Sequence, residues 1–128
     1  MGKFLRNWVI VLIVWLVISY AWTSLIFANQ YMVNLSKIAR YSGGEQVPLM
    51  SWLILAHAIV ALAYVFFLPK AKGNYVMNGV LLGWATFGFF GILNYAILAD
   101  WTISLKLMDV ALGTIGGAIV GWLTERLS

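Results

Sequence analysis

Four long apolar runs separated by short polar segments dominate the chain. They extend from about Trp8 to Phe27, Met50 to Leu68, Val76 to Ala99 and Leu107 to Leu123. A helix that rises ~1.5 Å per residue needs roughly 20 apolar residues to cross a bilayer core, and the fourth run only just suffices. Helices are expected because backbone in lipid must satisfy its own hydrogen bonds. The pattern predicts an all-α polytopic membrane protein, with one four-helix domain over residues 1–128.

The connection between the first two runs carries a weaker periodic signal. Tyr31, Leu35 and Ile38 recur at helical spacing, ahead of a break at Gly43–Gly44. Amphipathic segments of this kind lie in the membrane interface. We therefore expect a short interfacial helix between the first and second membrane spans.

Composition and charge agree with a bilayer as the solvent. The 128 residues are 63% hydrophobic and 9% charged, with a mean hydropathy of +0.94. A small soluble domain leaves too much surface exposed to hide so many apolar side chains. The basic residues stand singly or in pairs beside the apolar runs, which is typical of membrane flanks and argues against a nucleic-acid surface. The lipid bilayer is the first expected partner.

The first apolar run follows Lys3 and Arg6, an arrangement that also occurs in secretory signals. A signal peptide has an apolar segment of ~7 to 15 residues, and this run is long enough to span a bilayer. We therefore interpret it as a retained helix. Trp8, Trp15 and Trp22 recur along it every seven residues. The outer two resemble interfacial anchors, whereas Trp15 would need a packing partner in mid-membrane.

Small residues recur at four-residue spacing on the last two predicted helices. They are Gly79 and Gly83 on the third helix and Gly113, Gly117 and Gly121 on the fourth. Such spacing lets helix backbones approach closely in lipid. Packing of these helices within one chain is favoured over a dimerisation face, because a chain with several helices satisfies itself first.

Five polar residues within the spans form the candidate site: Asp109, Asn94, His57, Ser19 and Thr23. Ionisable groups in a span usually face the protein interior and are the default functional hypothesis. Asp109 shares a helical stripe with the glycines of the fourth helix, and the other four can reach a similar depth. The sequence thus predicts one polar cluster in the outer half of the bundle. It contains no recognisable catalytic or metal-binding motif, and no cofactor is assigned.

Each of these residues also has a simpler interpretation. Asp109 lies near a helix start and could complement the helix dipole while touching interfacial water. Asn94 could be a helix-to-helix hydrogen bond. His57 could ligate a haem or a pigment, relay protons, or hydrogen-bond a neighbour. The hydrogen bond is favoured because His57 is the only histidine in the sequence. A haem site with two axial ligands would need a methionine as the second ligand.

The carboxyl-terminal half resembles a family of small bacterial four-helix membrane proteins known as a domain of unknown function. The matching residues are Asn94, Ala96, Leu98, Trp101, Asp109, Gly113 and Thr114. Ser19 and Gly91 stand where members of that family carry aspartates. If those aspartates form a proton or cation site, this chain has lost most of it. The resemblance implies a fold and no activity.

Two classes of function compete after enzymes are set aside. The short loops and the glycine and tryptophan faces favour a non-catalytic accessory subunit of a larger membrane complex. The alternatives are a small homo-oligomeric transporter or channel, or a pigment- or haem-binding subunit that uses His57. Location in a cell membrane, for which the bacterial inner membrane is expected, follows from either class.

Orientation can be predicted from the basic residues. Lys3, Arg6, Lys70, Lys72 and Arg126 fall on one side, and Lys37, Arg40 and Lys106 on the other. The side with more basic residues is usually cytoplasmic. A topology reporter fused after residue 128, or inserted between Lys70 and Tyr75, should therefore read cytoplasmic. Two periplasmic readings would contradict the charge argument.

Overall fold

A computed structural model describes residues 1–42 and 45–128 of the chain. Helix α1 spans Gly2–Ala21 and continues into a π turn at Trp22–Ile26. The short helix α2 covers Ala28–Asn34, and strands β1 (Tyr41–Ser42) and β2 (Glu45–Gln46) form a minimal antiparallel pair. Helix α3 spans Met50–Phe67 and ends in a 3₁₀ turn at Leu68–Lys70.

The remaining helices complete the bundle. Helix α4 spans Tyr75–Gly83, a π turn covers Trp84–Gly88, and α5 spans Phe89–Ile97. Helix α6 spans Ile103–Leu127. Four helical segments are long and apolar enough to cross a membrane: Gly2–Ile26, Met50–Lys70, Tyr75–Ile97 and Ile103–Leu127. The predicted fold class is therefore confirmed.

The helix ends differ from the ends of the apolar runs. Helix α1 begins six residues before Trp8, and α6 begins four residues before Leu107 and ends four after Leu123. A helix can continue beyond the hydrocarbon core, because the basic side chains that flank the apolar run extend from the helix toward water. Thr102 is the N-cap of α6, and its hydroxyl accepts a hydrogen bond from the Leu105 N–H at 3.1 Å.

The short helix α2 lies against one end of the bundle, which we call the α2 end. The predicted short helix between the first two spans thus exists, but it stops at Asn34, before Leu35 and Ile38. Its Tyr31 is 6% exposed, and the Thr102 hydroxyl donates to the Asn34 side-chain oxygen at 2.7 Å. These contacts tie α2 to the start of α6. The predicted Gly43–Gly44 break lies outside the described residues.

Helix α6 is the central element of the bundle, since its span is more buried than the other three. Its glycines pack directly on the backbone of α4: a Cβ at Gly117 would collide with the Gly79 carbonyl, and one at Gly83 with the Gly113 carbonyl. Tyr64 of α3 donates its hydroxyl to the same Gly79 carbonyl at 2.8 Å. The small residues therefore serve packing between helices of one chain.

Aromatic side chains fill the space between α1, α3 and α6. Trp15 and Tyr64 are fully buried, and their rings meet edge to face with centroids 5.5 Å apart. The Phe87 ring lies 4.8 Å from that of Trp15, and Trp8 donates its indole N–H to the Ala58 carbonyl at 2.9 Å. The tryptophan stripe thus faces the protein, and Trp8 and Trp22 are not simple interfacial anchors.

The glycine contact gives a direct stability test. Gly117→Ala should lower the free energy of unfolding by about 1–3 kcal/mol, because the added methyl group must displace the α4 backbone. Gly88→Ala is the matched control, since a Cβ there has no atom nearer than 3.7 Å. Thermal unfolding of both variants in detergent measures the difference. Equal stability of Gly117→Ala and the parent would contradict the described contact.

Candidate functional site

Asp109 occupies a buried position at the α2 end of the bundle. It is the seventh residue of α6, and its side chain is 8% exposed. It packs on Gly91 of α5, where a Cβ would lie 2.6 Å from the Asp109 Cβ and 2.8 Å from its Oδ2. Among the described residues, this Oδ2 is buried and has no hydrogen-bond partner.

The longer α6 changes the interpretation of this carboxylate. Helix-dipole effects fade beyond the first turn, and Asp109 lies well past the first turn that begins at Ile103. Thr102 already caps the helix. Complementing the helix start, one of the two interpretations left open by the sequence, therefore does not account for Asp109.

Two buried aromatic residues with polar groups lie together at the α2 end, and one of them, Tyr31, lies close to Asp109. Trp22, from the π turn of α1, and Tyr31, from α2, are 8% and 6% exposed. Within the described part of the chain, neither the Trp22 Nε1 nor the Tyr31 hydroxyl has a hydrogen-bond partner. Burial raises the pKa of Tyr31, and the Asp109 carboxylate raises it further. The nearby Trp22 indole opposes this rise, although the Trp22 N–H forms no hydrogen bond with the Tyr31 hydroxyl. Tyr31 therefore keeps its proton.

His57 belongs to a separate polar pair. Its Nδ1 lies 2.8 Å from the Leu53 carbonyl and its Nε2 lies 2.8 Å from the Ser19 hydroxyl. Since a carbonyl only accepts, Nδ1 is the donor to Leu53, and Nε2 shares its hydrogen bond with the Ser19 hydroxyl. Thr23 donates to the Ser19 carbonyl of its own helix at 2.8 Å. A metal or haem at His57 would have to displace Ser19.

Phe87 stands between these two groups. Its ring centroid is 6.2 Å from that of His57, and its Cβ would lie 3.4 Å from a Cβ at Gly113, one turn after Asp109 on α6. Asn94 is half-buried, and the described hydrogen bonds do not join it to Asp109. The structure thus places the five predicted residues in a His57–Ser19–Thr23 group, an Asp109 group and a nearby Asn94. Their functional role stays a prediction.

Three residues of the Asp109 group escaped the sequence argument. The sequence pattern indicates an anchor at Trp22 and an interfacial helix at Tyr31, and it marks Gly91 only as a departure from the resembling family. The signal that could have found Gly91 was available, because it stands where the resembling family carries an aspartate. Both departures from that family, Ser19 and Gly91, directly contact a polar candidate, His57 and Asp109 respectively.

Comparison with known proteins agrees with the resemblance. A family model described as "Predicted membrane protein (DUF2177)" matches residues 4–125, which is nearly the whole chain. No curated protein and no solved structure matches the chain. The comparison therefore supports the membrane fold and leaves the activity to be argued from the site.

The His57–Ser19 pair can be tested by removing one hydroxyl. Ser19→Ala should lower the free energy of unfolding by about 0.6 kcal/mol, the average for a hydrogen bond between membrane helices, and by no more than about 1.7 kcal/mol, the largest value measured for one. Ser24→Ala, on an exposed position one turn further along, should have a smaller effect. The measurement is reversible unfolding in mixed micelles. Equal losses for the two variants would contradict a helix-to-helix bond at Ser19.

Proposed function

The chain belongs to the DUF2177 family of predicted membrane proteins, and we propose that it works as a small transporter or channel whose ligand-binding group is Asp109. In this proposal it is non-enzymatic, acts as a homo-oligomer in the bacterial inner membrane, and keeps both termini in the cytoplasm. The α2 end then faces away from the cytoplasm.

The observation that carries the proposal is a buried carboxylate without a partner. Asp109 is 8% exposed, and its Oδ2 makes no hydrogen bond to the described protein atoms. An unpaired carboxylate in a membrane bundle costs several kcal/mol relative to an apolar residue. The neighbouring Gly91 backbone does not require a carboxylate at position 109. Packing on Gly91 needs only the Asp109 Cβ, so a costly ionisable group at this position is best explained by a ligand that it binds.

The features that favoured an accessory subunit have other uses in the fold. The glycine face of α6 is covered by α4, and the tryptophan stripe of α1 packs into the core or donates to α3. These residues therefore offer no free docking surface. The remaining outer face consists of side chains such as Trp52, Ile59 and Phe67, which suit lipid acyl chains.

The state of the protein in mild detergent distinguishes a carrier from a subunit. After gentle extraction from native membranes and chemical cross-linking, we expect a small homo-oligomer of this chain alone. Asp109→Asn should give the same assembly, because Asp109 lies inside the bundle. Stoichiometric co-purification with a larger membrane complex would contradict the proposal and support an accessory subunit.

A further inference from the structure

We propose that the ligand of Asp109 is a proton, and that Tyr31 of α2 covers this proton site at the α2 end. The inference rests on the proposed role of Asp109 and specifies what binds there. A proton from water at the α2 end is added to Oδ2, and the same proton leaves when the carboxylate is restored. The exchange moves no electrons and needs no second reactant.

The packing around Asp109 leaves no space for a larger ligand on its α5 side. Gly91 lies so close that even one added carbon would contact both Cβ and Oδ2 of Asp109. Two shallow surface grooves among the described residues lie elsewhere, along the apolar side chains near Ile59 and Phe67. A proton needs no cavity, whereas an organic solute does.

The surrounding groups also argue against a metal cation. Hard cations take six or more oxygen ligands, and the described residues contain no group of three or more His, Cys, Asp or Glu side chains. The groups that lie against Asp109 are the Gly91 backbone of α5 and Tyr31 of α2. Neither supplies a second carboxylate, which a hard cation prefers as a ligand.

Asp109 also lacks a basic partner to hold it ionised. Lys106 precedes it by one turn on α6, but the Lys106 ammonium lies 4.0 Å from the ring centroid of Tyr95. The described residues form no ion pair with Asp109. Tyr31 of α2 lies close enough to Asp109 for the carboxylate to act on it, and Tyr31 stays neutral because burial and that carboxylate raise its pKa. The charge of Asp109 therefore depends on its own proton.

Helix α2 covers the site at its open end. Tyr31 is buried against the bundle, and the Asn34–Thr102 hydrogen bond fixes α2 to the first turn of α6. In this proposal the Tyr31 ring lies on the route by which water at this end reaches Asp109. Removing the ring should open that route, whereas a change on the outer side of α2 should not.

Infrared spectroscopy in lipid nanodiscs tests the proton site without altering it. The chain has two aspartates, Asp100 and Asp109, so Asp100→Asn labelled with ¹³C-aspartate leaves Asp109 as the one labelled aspartic acid. We expect an isotope-shifted carboxylic band that appears and disappears reversibly with pH, and its loss in Asp109→Asn. A band that is absent or constant over the pH range in which the protein stays folded would overturn the proposal.

The cover is tested by deuterium exchange of the same acid. Tyr31→Ala should speed the exchange several-fold, and Met32→Ala, which changes a side chain 58% exposed on the same helix, should leave it unchanged. Tyr31→Phe keeps the ring and should stay as slow as the parent, which shows that the effect is not unfolding. Equal rates in Tyr31→Ala and the parent would overturn the cover. Neither result depends on oligomeric state, so failure here is distinct from failure of the carrier proposal.

Discussion

Where α4 crosses α6, carbonyl oxygens of each helix meet the Cα atoms of the other, because glycines occupy the contact on both sides. Gly79 faces Gly117, and Gly83 faces Gly113. Lipid supplies no hydrophobic force between helices, so close backbone packing and weak Cα–H···O contacts must hold them together. On α6 the stripe of glycines continues to Asp109. Residues four apart rotate gradually around an α-helix, and the wider π turn at Trp84–Gly88 offsets this rotation, so that Gly91 still faces α6. The packing device therefore positions the carboxylate.

This arrangement produces two groups of polar residues, and they differ in the free energy that their burial costs. His57 and Ser19 satisfy each other, so their burial is compensated by hydrogen bonds. Tyr31 lies close to both Asp109 and Trp22, and none of the three completes such a bond among the described residues. Buried polar groups without partners are rare in native proteins and often mark function. The contrast separates a structural pair from a candidate site, with Phe87 between them.

Hydrophobic patterning predicted the four membrane helices because lipid imposes length and polarity directly on each of them. The glycine spacing likewise predicted which helices meet. The polar cluster could be predicted less well, since helix depth alone does not reveal a π turn or the angle at which helices cross. Trp22 and Tyr31 show the difficulty: both have interfacial sequence signatures, yet α2 folds onto α6 and buries Tyr31. The tertiary contact with α6 determines the burial of Tyr31, and the local sequence pattern does not reveal that contact.

The glycine contact brings α5 and α6 together so that Asp109 lies on Gly91. Solid-state NMR of the ¹³C-labelled protein in lipid bilayers measures this contact in the unmodified chain. The account predicts a strong through-space correlation between the Gly91 Cα and the Asp109 Cβ and Cγ, beside correlations that join Gly83 to Gly113. Correlations of Asp109 with lipid or water, without one to Gly91, would contradict it.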